Sequence, residues 1–337
     1  MKVNTSETGM LSGKMANSMK KLSIIIPVYC NADTLLDCYD DLKANALPLL
    51  PDYEIILVDD GSEDNSWEIC CDIAAKEPKA RIVRLSRNFG SHAACLAGLN
   101  ICVGDCATTK SADCQEPSSL IVEMFGSWER GNRVILAVRT DREEGFMQKA
   151  FAGAYYGLVR WTISKKMPKT GFDCYLIDRK VIEALKLLDE RNSAITLQIL
   201  WAGFKTDIVP YTRLARQKGR SRWTLRKKVK LVLDSLITFS YAPVRLVEYL
   251  GVLFAAGAFT WGIVILVHSL INHSYPTGWT AMMLVILFSS GLIMFSLGLL
   301  GEYIWRTLDV AQNRPVYFVE ESINENDESN ETLDKRW

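Results

Sequence analysis

The chain has 337 residues, enough for one large soluble domain with something added to it. Lys and Arg together number 39, as do Asp and Glu, so a formal net charge of zero selects no partner class; no nucleic-acid partner is expected. Nine cysteines are scattered without CxxC spacing or an accompanying histidine cluster, which disfavours zinc and reads as reduced thiols in a cytosolic domain.

Residues 1–20 are polar, lack an apolar h-region and are expected to be a disordered N-terminus rather than a secretory signal. Structure is expected from Leu22, where Leu22-Ser23-Ile24-Ile25-Ile26-Pro27-Val28 is a continuous apolar run suited to a buried parallel strand. A helix is predicted from about Ala32, with Asn31 as N-cap and Leu35, Leu36, Tyr39 and Leu42 on its inner face. A second strand at 53–58 ends in Asp59-Asp60-Gly61-Ser62, and a helix follows over 65–76. A third strand at 80–85 leads into the loop Ser86-Arg87-Asn88-Phe89-Gly90 and a small-residue helix over 91–102. A short strand at 106–109 then delivers Lys110-Ser111-Ala112-Asp113-Cys114-Gln115-Glu116-Pro117, and another at 134–138 ends at Arg139. This alternation predicts an α/β domain with a doubly wound, mostly parallel sheet over residues 21–240.

Two further helices are predicted within that domain, at about 148–165 and 223–240. The first has an aromatic-rich face (Phe151, Tyr155, Leu158, Trp161), and the second sets basic residues beside an apolar face. Packing on the sheet would explain either, but basic residues interleaved with Trp just before a membrane span favour helices lying in the bilayer interface. No charged residue occurs between Glu248 and Glu302. Two apolar segments, 249–271 and 279–300, fill that gap, each close to the ~20 residues needed to span a bilayer. A two-span hairpin over 241–305 is therefore expected, with a C-terminal segment and acidic tail over 306–337. Arg245, Arg306 and Arg314 flank the spans, and the connecting loop has no Lys or Arg. The positive-inside rule then puts both termini in the cytoplasm.

Parallel strands end on one edge of their sheet, the edge at which open α/β sheets bind ligands. Asp59, Asp60, Arg87, Asp113, Gln115 and Arg139 would converge there. Asp and Gln offer hard oxygen donors suited to Mg²⁺ or Mn²⁺ shared with substrate phosphates. Neither GxxxxGK[ST] nor GxGxxG occurs, which disfavours P-loop and dinucleotide readings.

The strand-end motifs Ile24-Ile25-Ile26-Pro27-Val28-Tyr29, Val58-Asp59-Asp60-Gly61-Ser62, Leu85 to Gly90 and Asp113 to Pro117 resemble those of family 2 glycosyltransferases. Their order, followed by Gly298-Leu299-Leu300-Gly301-Glu302-Tyr303-Ile304 and Asn313 to Tyr317, resembles the polyprenyl-phosphate glycosyltransferases over roughly residues 21–320. The resemblance implies a GT-A-type (Rossmann-like) domain in the bacterial inner membrane. Such an enzyme transfers a monosaccharide from a nucleotide-sugar, UDP-hexose on family weight, to undecaprenyl phosphate with inversion. It implies that Pro27, Tyr29, Asp59 and Asp60, with Arg87 and Ser111, surround the donor, and that Asp113 and Gln115 bind Mg²⁺ or Mn²⁺. Asp113 and Arg139 would be catalytic; Lys149, Arg142, Ser221, Arg222 and Trp223 would hold the lipid phosphate. Two positions depart from the family pattern: Ser111 replaces a usual acidic residue, and Cys30-Asn31 replaces a common Asn-Glu. They keep open a second reading, a catalytically weak membrane scaffold or regulator of a glycan pathway that retains the fold. A Ser111 hydroxyl removes one charge from the metal site, so weaker metal affinity is expected. Gly291, Gly298 and Gly301 suggest contacts between spans of neighbouring chains in a homo-oligomer.

Overall fold

The computed structural model describes residues 20–140, 153, 155–161, 163–188, 194–214, 237, 242–272, 278–312 and 314–324. The expected N-terminal segment up to 19, the lipid-phosphate residues Arg142, Lys149, Ser221, Arg222 and Trp223, and the predicted helix at 223–240 except Ile237 lie outside them, as do residues 325–337. Within the predicted helix at 148–165, residues 155–161 are helical.

In chain order the elements are β1 (Lys21–Val28), α1 (Leu35–Asn45), a 3₁₀ turn (Leu47–Leu49), β2 (Asp52–Asp59), α2 (Ser66–Lys76), β3 (Ala80–Leu85) and α3 (Ser91–Ile101). Then follow β4 (Cys106–Thr109), α4 (Ser119–Glu129), β5 (Val134–Arg139), β6 (Cys174–Asp178), α5 (Arg179–Lys186), α6 (Ile195–Trp201) and β7 (Thr206–Tyr211). Two long helices, α7 (Ala242–Asn272) and α8 (Trp279–Ala311), precede a last strand, β8 (Val319–Ile323).

The eight strands form one sheet in the order β7-β5-β6-β4-β1-β2-β3-β8. Its centre is parallel (β4, β1, β2 and β3), β5 and β7 run in the same sense, and β6 and β8 run against their neighbours. The continuous apolar run of β1 exists because both faces of the sheet are covered. Leu22, Ile24, Ile26 and Val28 face the core under α1, α2 and α4, while Ile25 joins Ile56 and Val58 under α3. Alternate residues of one strand thus feed two cores, as period-2 geometry requires.

Two local expectations at the start of α1 are corrected. The helix begins at Leu35 with Thr34 as its N-cap residue. The side chain of Asn31 instead accepts from the Tyr29 N–H at 3.1 Å, and its carbonyl accepts from Thr34 and Leu35 at 3.0 Å. Leu36 is exposed; Cys38 takes the inner face with Leu35, Tyr39 and Leu42, following i, i+3, i+4, i+7 spacing. A buried ion pair anchors the opposite end of the central strands. Arg81 meets Glu54 at 3.2 Å, and Glu54 also accepts from Ser23 Oγ at 2.5 Å and the Val103 N–H at 2.7 Å.

Helices α7 and α8 have 31 and 33 residues. The stretches Pro243–Val264 and Phe288–Ala311 are long and apolar enough to cross a membrane, and neither is buried by the rest of the chain. A core helix of a soluble protein would be covered on its apolar face; here Leu253, Phe259, Met294 and Ile304 stand exposed. The helices touch each other through Phe254 and Phe288, whose rings lie 5.2 Å apart. Past α8 the chain returns to the sheet, where β8 pairs antiparallel with the β3 edge.

Candidate active site

Strand polarity builds the site. The C-terminal ends of β1, β2, β3, β4, β5 and β7 lie on one edge of the sheet, and antiparallel β6 brings its N-terminal end there. At or just beyond those ends stand Tyr29, Asp60, Arg87, Asp113, Arg139 and Arg213, with Asp173 preceding β6.

On the β1–β3 side two buried carboxylates organise the loops. Asp59 accepts from the Ser62 N–H at 3.3 Å and lies 3.5 Å from Arg84; burial raises its pKa above the ordinary value, against the opposing Ser62 bonds. Asp60 accepts from the backbone N–H groups of Phe89 and Gly90 at 2.7 and 2.8 Å, which fixes the Ser86–Gly90 loop. Burial pushes its pKa up to about 6 even so. Directly after them Gly61 has φ of +65°, and a Cβ there would lie 2.5 Å from the backbone carbon of Arg87. Only glycine lets these two loops close on each other. Ser62 Oγ accepts from the Cys30 N–H at 2.9 Å, tying the β1 end to the same turn. Cys30 has φ of +48°, a left-handed conformation in which Asn is favoured over Cys. Pro27 and Tyr29 are half-buried at the end of β1, and the Arg87 guanidinium lies over the Phe89 ring at 4.1 Å.

The β4 loop carries the candidate metal ligands. Ser111 Oγ donates to Asp113 Oδ1 at 2.8 Å, so the residue at the unusual position orients the carboxylate. Cys114 takes φ of +57°, turning the chain so that the Gln115 N–H lies 3.4 Å from the same Asp113 oxygen. Gln115 Oε1 accepts from the Arg213 guanidinium, and its backbone carbonyl accepts from the Leu214 N–H at 3.0 Å. Beneath the loop a buried Lys110 ammonium donates to the Glu116 carbonyl at 2.7 Å and pairs with Asp41 at 3.4 Å. Asp41 also accepts from Ser118 Oγ at 2.5 Å, so α1 holds both ends of the motif loop. Glu116 is buried near Asp113, Lys110, Asp173 and Arg213; burial, then the Asp113 charge, raises its pKa.

On the far side, Arg139 pairs with Asp173, which also accepts from the Tyr211 phenol at 3.1 Å. Burial, with the Asp173 carboxylate beside it, raises the Tyr211 pKa. Asp173, Tyr211, Glu116 and Lys110 are not singled out by the sequence. The cue for Asp173 would have been the run Cys174-Tyr175-Leu176-Ile177, a strand directly after an acid.

The donor set at 111–115 is one carboxylate, one amide oxygen and one hydroxyl, all hard oxygens. Among the described residues no cluster of three or more His, Cys, Asp or Glu side chains is placed to share a metal ion. These residues fit a divalent ion that takes most of its ligands from a substrate's phosphates and water, the usual manner of Mg²⁺. They do not form an all-protein cage.

A mixed α/β sheet with acids and amide oxygens at its strand ends, followed by an exposed apolar hairpin, defines a GT-A-like glycosyltransferase with a membrane-associating tail. Residues 23–186 match glycosyl transferase family 2, and residues 242–306 match the GtrB C-terminal hairpin. The chain is 36% identical to an uncharacterised glycosyltransferase of Bacillus subtilis over 89% of its length and 93% of the relative's. It is 31% identical to a prophage bactoprenol glucosyl transferase homolog of Escherichia coli, over 89% of this chain and 98% of that one. Among solved structures it is similar to mannosyl-3-phosphoglycerate synthase from Rubrobacter xylanophilus, with a TM-score of 0.46 and 17% identity over 69% and 75% of the two chains. The protein belongs to glycosyl transferase family 2.

Proposed function

We propose that this enzyme transfers a hexose from UDP-hexose to undecaprenyl phosphate at the cytoplasmic face of the bacterial inner membrane, with inversion. The observation that carries the reading is the joining of two things in one chain. Asp113, Gln115, Arg213 and the Arg139–Asp173 pair gather on a single sheet edge, and an uncovered apolar hairpin follows that domain. Relatives named bactoprenol glucosyl transferases, aligned over nearly their full length, support the lipid acceptor. Arg245, Arg306 and Arg314 at the ends of the spans support the cytoplasmic orientation. β8 supports the hairpin topology, because it follows the second helix and pairs with a strand that precedes the first.

The Asp59–Ser62 turn and the Ser86–Gly90 loop frame the nucleoside, with Pro27, Tyr29 and Arg87 at its edge. Asp113 and Gln115 would hold Mg²⁺ or Mn²⁺, which supplies Lewis-acid neutralisation of the departing diphosphate. Ser111 orients Asp113, and Arg213 adds a fixed positive charge beside Gln115. A phosphate monoester is already largely ionised at neutral pH, so the acceptor needs little help from a general base. Its oxygen attacks the anomeric carbon from the face opposite the diphosphate. The new C–O bond forms as the old one breaks, and the nucleoside diphosphate leaves with the electron pair. The protein's main work is positioning and charge screening. Arg139, oriented by Asp173, is assigned to the acceptor phosphate, a role that the family resemblance gives to Arg142, Lys149, Ser221, Arg222 and Trp223 as well. Chains associate through the Gly291, Gly298 and Gly301 face, where an added Cβ would meet nothing within 4 Å in the single chain.

The test incubates membranes holding the protein with labelled UDP-sugars and undecaprenyl phosphate, with and without Mg²⁺ or Mn²⁺. Lipid-extractable label that disappears with Asp113→Ala is expected. No label from any common UDP-hexose would overturn the reading. Crosslinking in native membranes tests the glycine face.

A further inference from the structure

The chain beyond the membrane hairpin is built into the side of the domain that frames the nucleotide. Tyr317 is buried, and Asn100 on α3 donates to its phenol oxygen at 2.8 Å. The Phe318 carbonyl accepts from the Ser86 N–H at 2.9 Å, at the first residue of the loop that Asp60 holds. The Phe318 ring packs on Phe89, with centroids 6.2 Å apart, and Phe89 supplies one of the two N–H groups bound by Asp60. One residue on, β8 pairs with β3, with a register shift between Arg84 and Leu85. Arg84 lies between Asp59 at 3.5 Å and Glu320 at 3.9 Å. The segment from Tyr317 to Glu320 therefore touches the supports of both Asp59 and Asp60.

We infer that Phe318, seated by Tyr317 and β8, is a positioning residue of the donor site: it holds the Ser86–Gly90 loop in its nucleotide-binding form and ties that loop to the membrane hairpin. The physical reason is the small number of other restraints on the loop. Gly90 has φ of +100°, an added Cβ there would meet nothing within 4 Å, and Arg87 is exposed; between the Gly61 contact and the start of α3 the loop depends on the Asp60 bonds and the contacts of Phe318. Without the ring, more of the ordering falls to the Asp60 bonds, helped by the Ser86–Phe318 backbone bond and the Gly61 turn. A loop that is in place only part of the time binds with its affinity reduced to that fraction.

This inference rests on the donor reading above, so its test separates the two. Amide exchange at Phe89 and Gly90 is measured in the full-length protein without ligand, and UDP affinity is measured by calorimetry in the presence of Mn²⁺. Phe318→Ala is expected to speed exchange at both amides and to weaken UDP binding about fivefold, a change of ~1 kcal/mol. In the transfer assay it raises KM for the sugar nucleotide and leaves KM for the lipid unchanged. Phe318→Leu should recover most of the loss, because it restores apolar contact with Phe89. Phe318 is 43% exposed, so its truncation leaves the core intact; Tyr317→Phe, which removes the bond from Asn100 and keeps the buried ring, is the milder second variant. Wild-type exchange and wild-type UDP affinity in Phe318→Ala would overturn the inference. Wild-type protein that binds no UDP, yet shows faster loop exchange on Phe318→Ala, would overturn the donor reading and leave the loop contact standing.

Discussion

Replacing Ser111 with aspartate probes how the strand-end loop balances charge. Ser111 Oγ donates to Asp113 Oδ1 at 2.8 Å, so a carboxylate at 111 would face that of Asp113 at short range with no proton to offer. Two unit charges 4 Å apart interact by about 4 kcal/mol at an effective dielectric of ~20. Both positions are half-buried, and solvent screening reduces the net penalty to about 1 kcal/mol. For a domain of this size that lowers the melting temperature by roughly 2–4 °C. A divalent ion reverses the sign, because the new carboxylate becomes an additional hard donor beside Asp113 and Gln115. The assay is thermal unfolding of detergent-solubilised protein in EDTA and across a Mn²⁺ titration, alongside the transfer rate at each concentration. Ser111→Asp should melt lower than wild type in EDTA, gain more from Mn²⁺ and reach half-maximal rate at a lower concentration. Ser111→Ala, which removes the donor without adding charge, should need more Mn²⁺ than wild type. An aspartate variant that melts with wild type in EDTA and needs the same Mn²⁺ concentration would refute the reasoning.

Asp173→Asn leaves Arg139 without its carboxylate partner and should lower kcat about a hundredfold, with the fold intact by circular dichroism. Cys30→Asn places a residue suited to φ of +48° at the end of β1 and should raise stability by about 0.5–1 kcal/mol, read from denaturant midpoints. Asp60 gives a pH signature. Its folded pKa, about 6, stands above the ordinary carboxylate value, so its contribution is fully present below pH ~4 and is lost as pH rises through ~6. Melting temperatures recorded from pH 4 to 7 should contain this decline, and Asp60→Asn should flatten it; an unchanged slope in the variant would contradict the assignment.

What was legible in the sequence follows from what is local. The β1 run, the Asp59-Asp60-Gly61-Ser62 turn and the Asp113-Cys114-Gln115 loop announce themselves within a few residues, because strand burial and turn chemistry act at short range. The charge-free spans are equally local. The Asp173–Arg139–Tyr211 group was hidden for a different reason. It forms only because β6 enters the sheet in the opposite sense between β4 and β5, and β7 then joins beyond β5. Nothing within a short window of Asp173 signals that insertion. The Lys110–Asp41 pair joins a strand end to a helix far upstream, and neither residue stands out alone. Leu36 was misplaced because one step along a helix is 100°, enough to turn an apolar side chain away from the core. β8 was masked by composition: Val319-Glu320-Glu321-Ser322-Ile323 has too few apolar residues to read as a strand. It is one because β3 offers an open edge.

That last strand also constrains how the site sits over the bilayer. At 1.5 Å per residue, α7 and α8 are each roughly 45–50 Å long, beyond the ~30 Å hydrocarbon thickness. The surplus on α8 falls in its charged last turns, where Arg306 pairs with Glu302 at 3.0 Å; in the proposed orientation that end of the helix stands in the headgroup region. Only residues 312–318 separate the helix from β8, a reach of at most about 25 Å even fully extended. In the proposed orientation the β3 edge of the sheet is therefore confined to within a few nanometres of the headgroups. A polyprenyl phosphate cannot leave the interface, and a sugar nucleotide arrives from water; the enzyme has to hold the second at the height of the first. Lengthening the connector should thus cost activity without costing fold. An insertion of ten Gly/Ser residues between Gln312 and Asn313 should preserve UDP binding while lowering transfer to membrane-bound undecaprenyl phosphate. Transfer to a short-chain, water-soluble polyprenyl phosphate should be spared. Equal losses on both acceptors would show that the connector sets something other than height.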